Sequence, residues 1–87
     1  MGGMNNVTLW GASWCSPCKQ IKPKLVKFCE DSGYSFQYRY IEQDSAAATN
    51  RGITTVPTIE VHEAVFPAVN MQWSKIKDTI ERLATEV

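Results

Sequence analysis

Two cysteines of this 87-residue chain, Cys15 and Cys18, are separated only by Ser16 and Pro17. The thiolate form of cysteine is both a nucleophile and a metal ligand, so a pair at this spacing suits either thiol–disulfide exchange or half of a zinc site. In disulfide exchange, one sulfur attacks a partner's disulfide, and the second sulfur then attacks the first and releases the reduced partner. We therefore predict a redox-active pair in which Cys15 is the exposed nucleophile and Cys18 is the buried, resolving cysteine.

The zinc alternative requires four ligands, and the remaining candidates in the chain are Cys29 and His62. Cys29 would lie about 16 Å from Cys18 along a helix that rises about 1.5 Å per residue, which is too far to share an ion. His62 alone does not complete a structural site. We expect no metal and no cofactor, with Cys29 in the core and His62 solvated on a strand. A purely structural Cys15–Cys18 bond is also disfavoured, because closing so small a loop constrains little of the chain.

The residues on both sides of the pair predict a strand followed by a helix, with the pair at the start of the helix. Val7–Trp10 is short and β-prone, and apolar residues recur every three or four positions from about Ser16 to Asp31. Unpaired N–H groups and the macrodipole at a helix N-terminus favour a thiolate, and Lys19 follows within reach of the same face. Both effects should lower the pKa of Cys15 below the free value of about 8.5.

Three neighbours of the cysteines are expected to shape the site. Pro17, in the first helical turn, costs no hydrogen bond and presets φ, so it holds the dithiol geometry in place. Trp14, which we expect to be half exposed, can offer apolar contact to an incoming chain. Pro23 lies inside the helical pattern, and because the periodicity continues beyond it we expect a kink near Lys19 rather than an end.

The order of elements predicts an α/β fold with a mixed four-stranded sheet and helices on both faces. The first strand and helix are followed by a predicted strand over Tyr34–Glu42 and a short helix capped by Asp44. Two more strands are predicted over Pro57–His62 and Ala64–Val69. The last predicted element is a helix capped by Ser74, whose apolar residues are Ile76, Ile80, Leu83, Ala84 and Val87. The order is thus β-α-β-α-β-β-α. The first two strands must be parallel, because a helix crosses between them, and the last two must be antiparallel, because their link is very short. The dithiol then lies at the carboxyl end of the first strand, where open α/β sheets place their chemistry.

Composition narrows the function classes. The length predicts a single domain over residues 1–87, and nine basic residues balance nine acidic ones, which gives no reason to expect nucleic acid or an anionic membrane as partner. No apolar run approaches the roughly 20 residues needed to span a bilayer, and the polar start does not read as a secretory signal. Three cysteines are an odd, low number for a disulfide scaffold. We expect a monomeric cytoplasmic protein.

Two motifs carry a resemblance to a known family. The run Trp14-Cys15-Ser16-Pro17-Cys18-Lys19, with Pro23 five residues after the second cysteine, resembles the active-site helix of thioredoxins, although the family form has glycine in place of Ser16. The run Thr55-Val56-Pro57-Thr58 resembles the cis-proline turn that faces the dithiol in that family. The resemblance extends from Val7 to Leu83.

The resemblance implies a thioredoxin fold and a function. Pro57 would be cis, Val56 would offer its backbone to a bound substrate strand, and Trp14, Ser16 and Pro17 would complete the substrate-binding surface. The implied activity is thiol–disulfide exchange that reduces protein disulfides, with ribonucleotide reductase as a plausible client. The implied electron source is a thioredoxin reductase or glutathione.

Three departures from the family pattern keep alternatives open. The chain lacks the extra strand and helix that typical thioredoxins carry first, so its size is that of a glutaredoxin or of the short phage and archaeal thioredoxins. Thioredoxins carry a buried aspartate on the strand before the motif, where it helps to deprotonate the buried cysteine. In this chain Leu9 occupies that position. Glutaredoxins hold glutathione with a glycine-rich turn after the last strand. The corresponding residues here are Pro67-Ala68-Val69-Asn70, which counts against a dedicated glutathione site without excluding one. A glutathione-dependent reductase remains one alternative, and a non-catalytic docking or iron–sulfur module remains another.

Overall fold

The computed structural model describes residues 5–85, and its seven elements follow the predicted order. They are β1 (Asn6–Gly11), α1 (Ser16–Ser32), β2 (Ser35–Tyr40), α2 (Ser45–Asn50), β3 (Thr58–Val61), β4 (Ala64–Pro67) and α3 (Trp73–Thr85). The strands form one four-stranded sheet in the order β2-β1-β3-β4. β1 is parallel to β2 and antiparallel to β3, and β3 is antiparallel to β4. The predicted mixed sheet is therefore confirmed, and β1, an interior strand, leads directly into the cysteine pair.

One face of the sheet carries the larger core. Val7 and Leu9 alternate along β1, so both side chains point to this face, where Leu25 of α1 and Ile80 of α3 cover them. Full burial of each such aliphatic side chain contributes about 1.5–3 kcal/mol, and this packing fixes α1 against the sheet. Cys29 lies in the same core, as predicted.

The opposite face is covered by α2 and is organised around Trp10. The Trp10 ring is fully buried and packs with Ala48 of α2. Its indole Nε1 donates a hydrogen bond of 2.8 Å to Glu60, and the guanidinium groups of Arg39 and Arg51 lie 4.6 Å and 5.7 Å from the ring centroid. The predicted helices on both faces of the sheet are thus confirmed.

Helix α1 runs unbroken from its first turn to a glycine stop. It continues across Pro23, as the periodicity predicted. Gly33 follows with φ 77°, a left-handed conformation that glycine adopts without steric cost, and the Gly33 and Tyr34 N–H groups bond to the carbonyls of Glu30 and Cys29.

One predicted helix cap is wrong, and the other is right in position but lacks the expected side-chain bond. α3 begins at Trp73, so Ser74 lies inside its first turn, and the Gln72 carbonyl accepts from the Ile76 N–H at 3.0 Å. Asp44 does precede α2, but its carboxylate makes no cap bond and instead accepts from Arg39 Nε at 3.2 Å. In the second case an ion pair competes for the carboxylate.

His62 is also placed differently from the prediction. It lies in the turn between β3 and β4 with φ 57°, and its Nε2 is 2.9 Å from Asn5 Oδ1. β2 and β4 are shorter than predicted, and Val87 lies outside the described residues. In residues 5–85, no helix combines the length and apolar character that crossing a bilayer requires.

Candidate active site

The cysteine pair lies where β1 turns into α1. The Cys15 N–H donates to the Ala12 carbonyl at 3.1 Å, which closes the turn between strand and helix. Cys15 then occupies the N-cap position of α1, and its Sγ accepts a hydrogen bond from the Cys18 N–H at 3.1 Å. Cys15 and Cys18 form a disulfide with their Cα atoms 5.3 Å apart. A sulfur that caps a helix in this way lies where negative charge is stabilised.

The two sulfurs differ less in exposure than the sequence predicted. Cys18 is fully buried, but Cys15 is also buried, with only 6% of its surface exposed. The expectation of an exposed Cys15 is therefore wrong for the disulfide form. The reason is that its sulfur is bonded to Cys18 and turned towards the first turn of α1, while Val56 packs against the cluster that the two cysteines form with Ala12.

Apolar surface lies beside the pair and could receive another chain. Trp14 is 67% exposed, more than the half exposure predicted, and Val69, after β4, is 41% exposed. Val69 lines a groove of about 170 Å³ together with Pro17 and Pro57. The groove therefore begins at the dithiol helix and runs past the proline turn to the loop that precedes α3.

The Val56–Pro57 peptide bond is cis, as the resemblance implied. Thr58 Oγ1 donates to the Thr55 carbonyl at 2.7 Å, and the Pro57 carbonyl accepts from the Ala68 N–H at 2.9 Å, so the turn is held on both sides. Within residues 5–85, the backbone N–H and carbonyl of Val56 make no hydrogen bond to backbone. Val56 thus presents the free donor and acceptor that strand addition requires.

The other residues singled out from the sequence occupy less decisive positions. Ser16 and Lys19 are exposed in the first turn of α1, and the Lys19 backbone N–H donates to the Cys15 carbonyl at 3.3 Å. Leu9 is fully buried in the larger core. Burial raises the pKa of the Cys29 thiol to about 11, so this cysteine stays protonated at neutral pH. No group of three or more His, Cys, Asp or Glu residues in the described part of the chain is placed to hold a metal ion.

Sequence reasoning missed the role of Glu42 at the turn before the pair. Its two carboxylate oxygens accept from the Ser13 N–H at 3.1 Å and 3.3 Å. Hydrogen bonding from Ser13, through its side chain and its backbone N–H, lowers the pKa of Glu42. No local sequence pattern signals this contact, because it joins two loops far apart in the chain.

Sequence reasoning also missed the position of Tyr38 beside the pair. A β-carbon built on Gly11 would lie 2.8 Å from Tyr38 Cζ and 3.1 Å from Cys18 Cβ, so the phenol end of Tyr38 and the Cys18 side chain meet across this glycine. Gly11, the last residue of β1, was the available signal, since a glycine in a strand can mark a close approach by another group. Burial, with smaller contributions from Tyr40 and Glu42, raises the pKa of Tyr38.

Comparisons with known proteins give a consistent result. The thioredoxin family model matches residues 5–86. The chain is 36% identical over 58 residues to a thioredoxin of Streptomyces clavuligerus, a match that covers 66% of this chain and 53% of that protein. It is 33% identical over an alignment of 88 residues to the chloroplastic thioredoxin M4 of Arabidopsis thaliana, covering 92% of this chain and 44% of that protein. The chain thus spans about half the length of these curated relatives.

Among solved structures, the X-ray structure of Fasciola hepatica thioredoxin superposes with a TM-score of 0.78 at 26% sequence identity. The superposition covers 92% of this chain and 81% of that one. The β-α-β-α-β-β-α arrangement described above is therefore shared with a solved thioredoxin.

Proposed function

The chain belongs to the thioredoxin family, and on that premise we propose that it is a thiol–disulfide oxidoreductase that reduces protein disulfides. The observation that carries the proposal is the Cys15–Cys18 disulfide at the start of α1, directly beside the cis Val56–Pro57 turn. One sulfur caps the helix and the other is fully buried. This arrangement supports unequal roles for the two cysteines.

The first step is attack by Cys15. In the reduced protein, the helix N-terminus and the Cys18 N–H stabilise a thiolate at Cys15 Sγ, and Lys19 adds a positive charge nearby. This thiolate attacks one sulfur of the client's disulfide. A Cys15–client bond forms, the client's own S–S bond breaks, and the departing client sulfur leaves as a thiolate that takes a proton from solvent.

The second step is attack by Cys18. Its thiol gives up a proton to solvent, and the resulting thiolate attacks Cys15 Sγ. The Cys15–Cys18 disulfide forms and the Cys15–client bond breaks, so two electrons have passed from the protein to the client. The disulfide-bonded state described above is the product of this step.

Client binding is proposed to use the Val56 backbone and the apolar surface beside it. The unpaired N–H and carbonyl of Val56 support pairing with an extended client segment that brings its disulfide to Cys15. Trp14 on one side, and the groove lined by Pro17, Pro57 and Val69 on the other, add apolar contact. Ser16 lies exposed between the cysteines and faces the same client.

The electron source and the compartment belong to the same proposal. We favour a thioredoxin reductase as the electron source. In the loop after β4, where a glutaredoxin would carry the glycines that hold glutathione, this chain has Val69, whose exposed side chain lines the groove. We place the protein in the cytoplasm, because a low, odd number of cysteines with one cycling pair suits a reducing compartment. We propose that it acts there as a monomer. Ribonucleotide reductase is a plausible client.

An insulin-reduction assay with NADPH and a thioredoxin reductase tests the proposal. The wild type should reduce insulin, Cys15→Ser and Cys18→Ser should each lose at least about 100-fold of the rate because the cycle needs both sulfurs, and Cys29→Ala should keep it. A second arm replaces the reductase with glutathione and glutathione reductase. Activity only in the second arm would establish the glutathione-dependent alternative. Full activity of Cys15→Ser would refute the proposal altogether.

A further inference from the structure

The hydroxyl end of Tyr38 lies close to Cys18, because both border the point that a β-carbon on Gly11 would occupy. The hydrophobic residues that cluster with Cys15 and Cys18 in the described part of the chain are Ala12, Tyr38, Ile41 and Val56. Ala12, Ile41 and Val56 have aliphatic side chains. The Tyr38 hydroxyl is therefore the one side-chain group among these four residues that can donate a hydrogen bond. A buried thiolate without such a donor is unfavourable, because it loses its hydration with nothing in exchange.

The position of Tyr38 is fixed by the sheet register. Tyr38 of β2 pairs with Leu9 of β1, which is fully buried and offers no polar atom. Two residues further along β1, on the same face, Gly11 leaves open the space that its β-carbon would occupy. The Tyr38 ring extends over this gap, so that its hydroxyl end and Cys18 Cβ both border the same point.

We propose that the Tyr38 hydroxyl donates a hydrogen bond to the Cys18 sulfur when that sulfur is a thiolate, and so stabilises the attacking group of the resolving step. The proposal deepens the proposed function and rests on it. In the disulfide form, no hydrogen bond joins the two groups within residues 5–85, in keeping with the low charge on a disulfide sulfur. The donor is then free until Cys18 ionises.

The proposed hydrogen bond from Tyr38 changes neither the proton balance nor the electron balance of the resolving step. Cys18 loses its proton to solvent, not to Tyr38, because a phenol is already protonated at neutral pH. The Cys18 thiolate then forms the bond to Cys15 Sγ, and the client thiolate leaves and is protonated by solvent. Tyr38 keeps its proton throughout and contributes only the hydrogen bond.

Charged and titratable groups approach Tyr38 from α1 and from its own strand and the loop that follows it. From α1, Lys22 Nζ lies 4.9 Å from the Tyr38 ring centroid, and Cys18 lies at the hydroxyl end. On its own strand, the Tyr40 ring is 4.8 Å away between centroids, and Glu42 in the following loop adds negative charge. Replacing Tyr38 with phenylalanine leaves every one of these groups in place and removes only the hydroxyl.

The test is the pH dependence of Cys18 alkylation in a protein that cannot form the disulfide. In the Cys15→Ser background, the rate of Cys18 reaction with iodoacetamide is measured across pH with and without Tyr38→Phe, with Cys29→Ala in both so that one thiol remains. Loss of a hydrogen bond to a charged group should raise the Cys18 pKa by about one unit and slow alkylation at neutral pH about tenfold. Tyr40→Phe serves as the matched control and should leave the profile unchanged.

A Cys18 profile that Tyr38→Phe does not move, or that Tyr40→Phe moves equally, would overturn the proposal. This titration involves no client and no reductase, so its outcome is separate from the insulin assay. If Cys18 shifts as expected while the wild type fails to reduce insulin, the Tyr38 contact stands and the proposed function falls.

Discussion

The environment of each cysteine sulfur explains how one short motif can hold two different groups. Cys15 caps α1 and receives the Cys18 N–H, whereas Cys18 lies inside a pocket closed by apolar side chains and Tyr38. Gly11 is what allows this pocket to exist, because any larger residue would occupy the space between Tyr38 and Cys18. Glu42 holds the turn before the pair through the Ser13 N–H.

Gly11→Ala should therefore destabilise the protein. The added methyl group would come within 2.8 Å of Tyr38 Cζ, so the ring must shift, and overpacking of this kind costs about 1–3 kcal/mol. Urea unfolding measures the loss. In a Tyr38→Ala background the same substitution should cost clearly less, because the clash is gone. An equal cost in both backgrounds would show that the ring is not the obstacle.

Glu42→Gln should lower stability at neutral pH and have no effect in acid. The folded pKa of Glu42 is held below its usual 4.5 by hydrogen bonds from Ser13, so its stabilisation is fully present above the unfolded pKa and is lost as pH falls through the folded value. The urea midpoints of the two proteins should differ slightly at pH 7 and converge below the folded pKa. A difference that grows on acidification would contradict the assigned hydrogen bonds.

Helix α1 is the element whose two ends have separate tasks. Its N-terminus carries the cysteine pair, and its C-terminus is closed by Gly33 in a left-handed conformation with no atom within 4 Å of a β-carbon built there. The periodic apolar residues made this helix predictable from sequence almost to the residue. The N-cap position of α2 was predicted but its side-chain bond was not, because Asp44 is engaged by Arg39. The cap of α3 was not predicted, because α3 begins one residue before Ser74.

Gly33→Ala should cost about 1 kcal/mol of stability, because the left-handed backbone disfavours a β-carbon even where space is open. Gly33→Asn should cost less, since asparagine tolerates this conformation better. Both variants should keep wild-type activity in the insulin assay, because the substitution lies at the far end of the helix from the cysteines. Thermal or urea unfolding gives the comparison, and an alanine variant as stable as wild type would be inconsistent with the capping role.

The whole fold depends on two unequal cores on either side of the sheet. Element order followed from apolar periodicity, and strand directions followed from the connections between the strands, both of which local sequence encodes. The contacts of Trp10 with Arg39, Arg51 and Glu60 could not be predicted in this way, because these three residues come from separate segments and meet only in the folded chain. The contacts of Tyr38 and Glu42 escaped prediction for the same reason, while the cysteine pair and the Val56–Pro57 turn could be found from motifs.

Trp10→Phe should destabilise the protein by about 2 kcal/mol. It removes the indole N–H that donates to Glu60 at 2.8 Å in a partly buried setting, and hydrogen bonds to charged groups contribute about 1.5–3 kcal/mol. The matched control is Trp14→Phe, which changes a tryptophan that is 67% exposed and should leave the unfolding free energy within about 0.5 kcal/mol of wild type. Equal losses in the two variants would argue against the Trp10–Glu60 contact.

The most direct test of unequal cysteine roles is covalent trapping of a client. Reduced Cys18→Ser, which can attack but cannot resolve, is mixed with a disulfide-bonded protein, and the adduct is mapped by mass spectrometry under non-reducing conditions. We predict a stable mixed disulfide at Cys15, and little or none when Cys15→Ser is treated in the same way. Equal trapping through Cys18 in Cys15→Ser, or no adduct in either variant, would contradict the account.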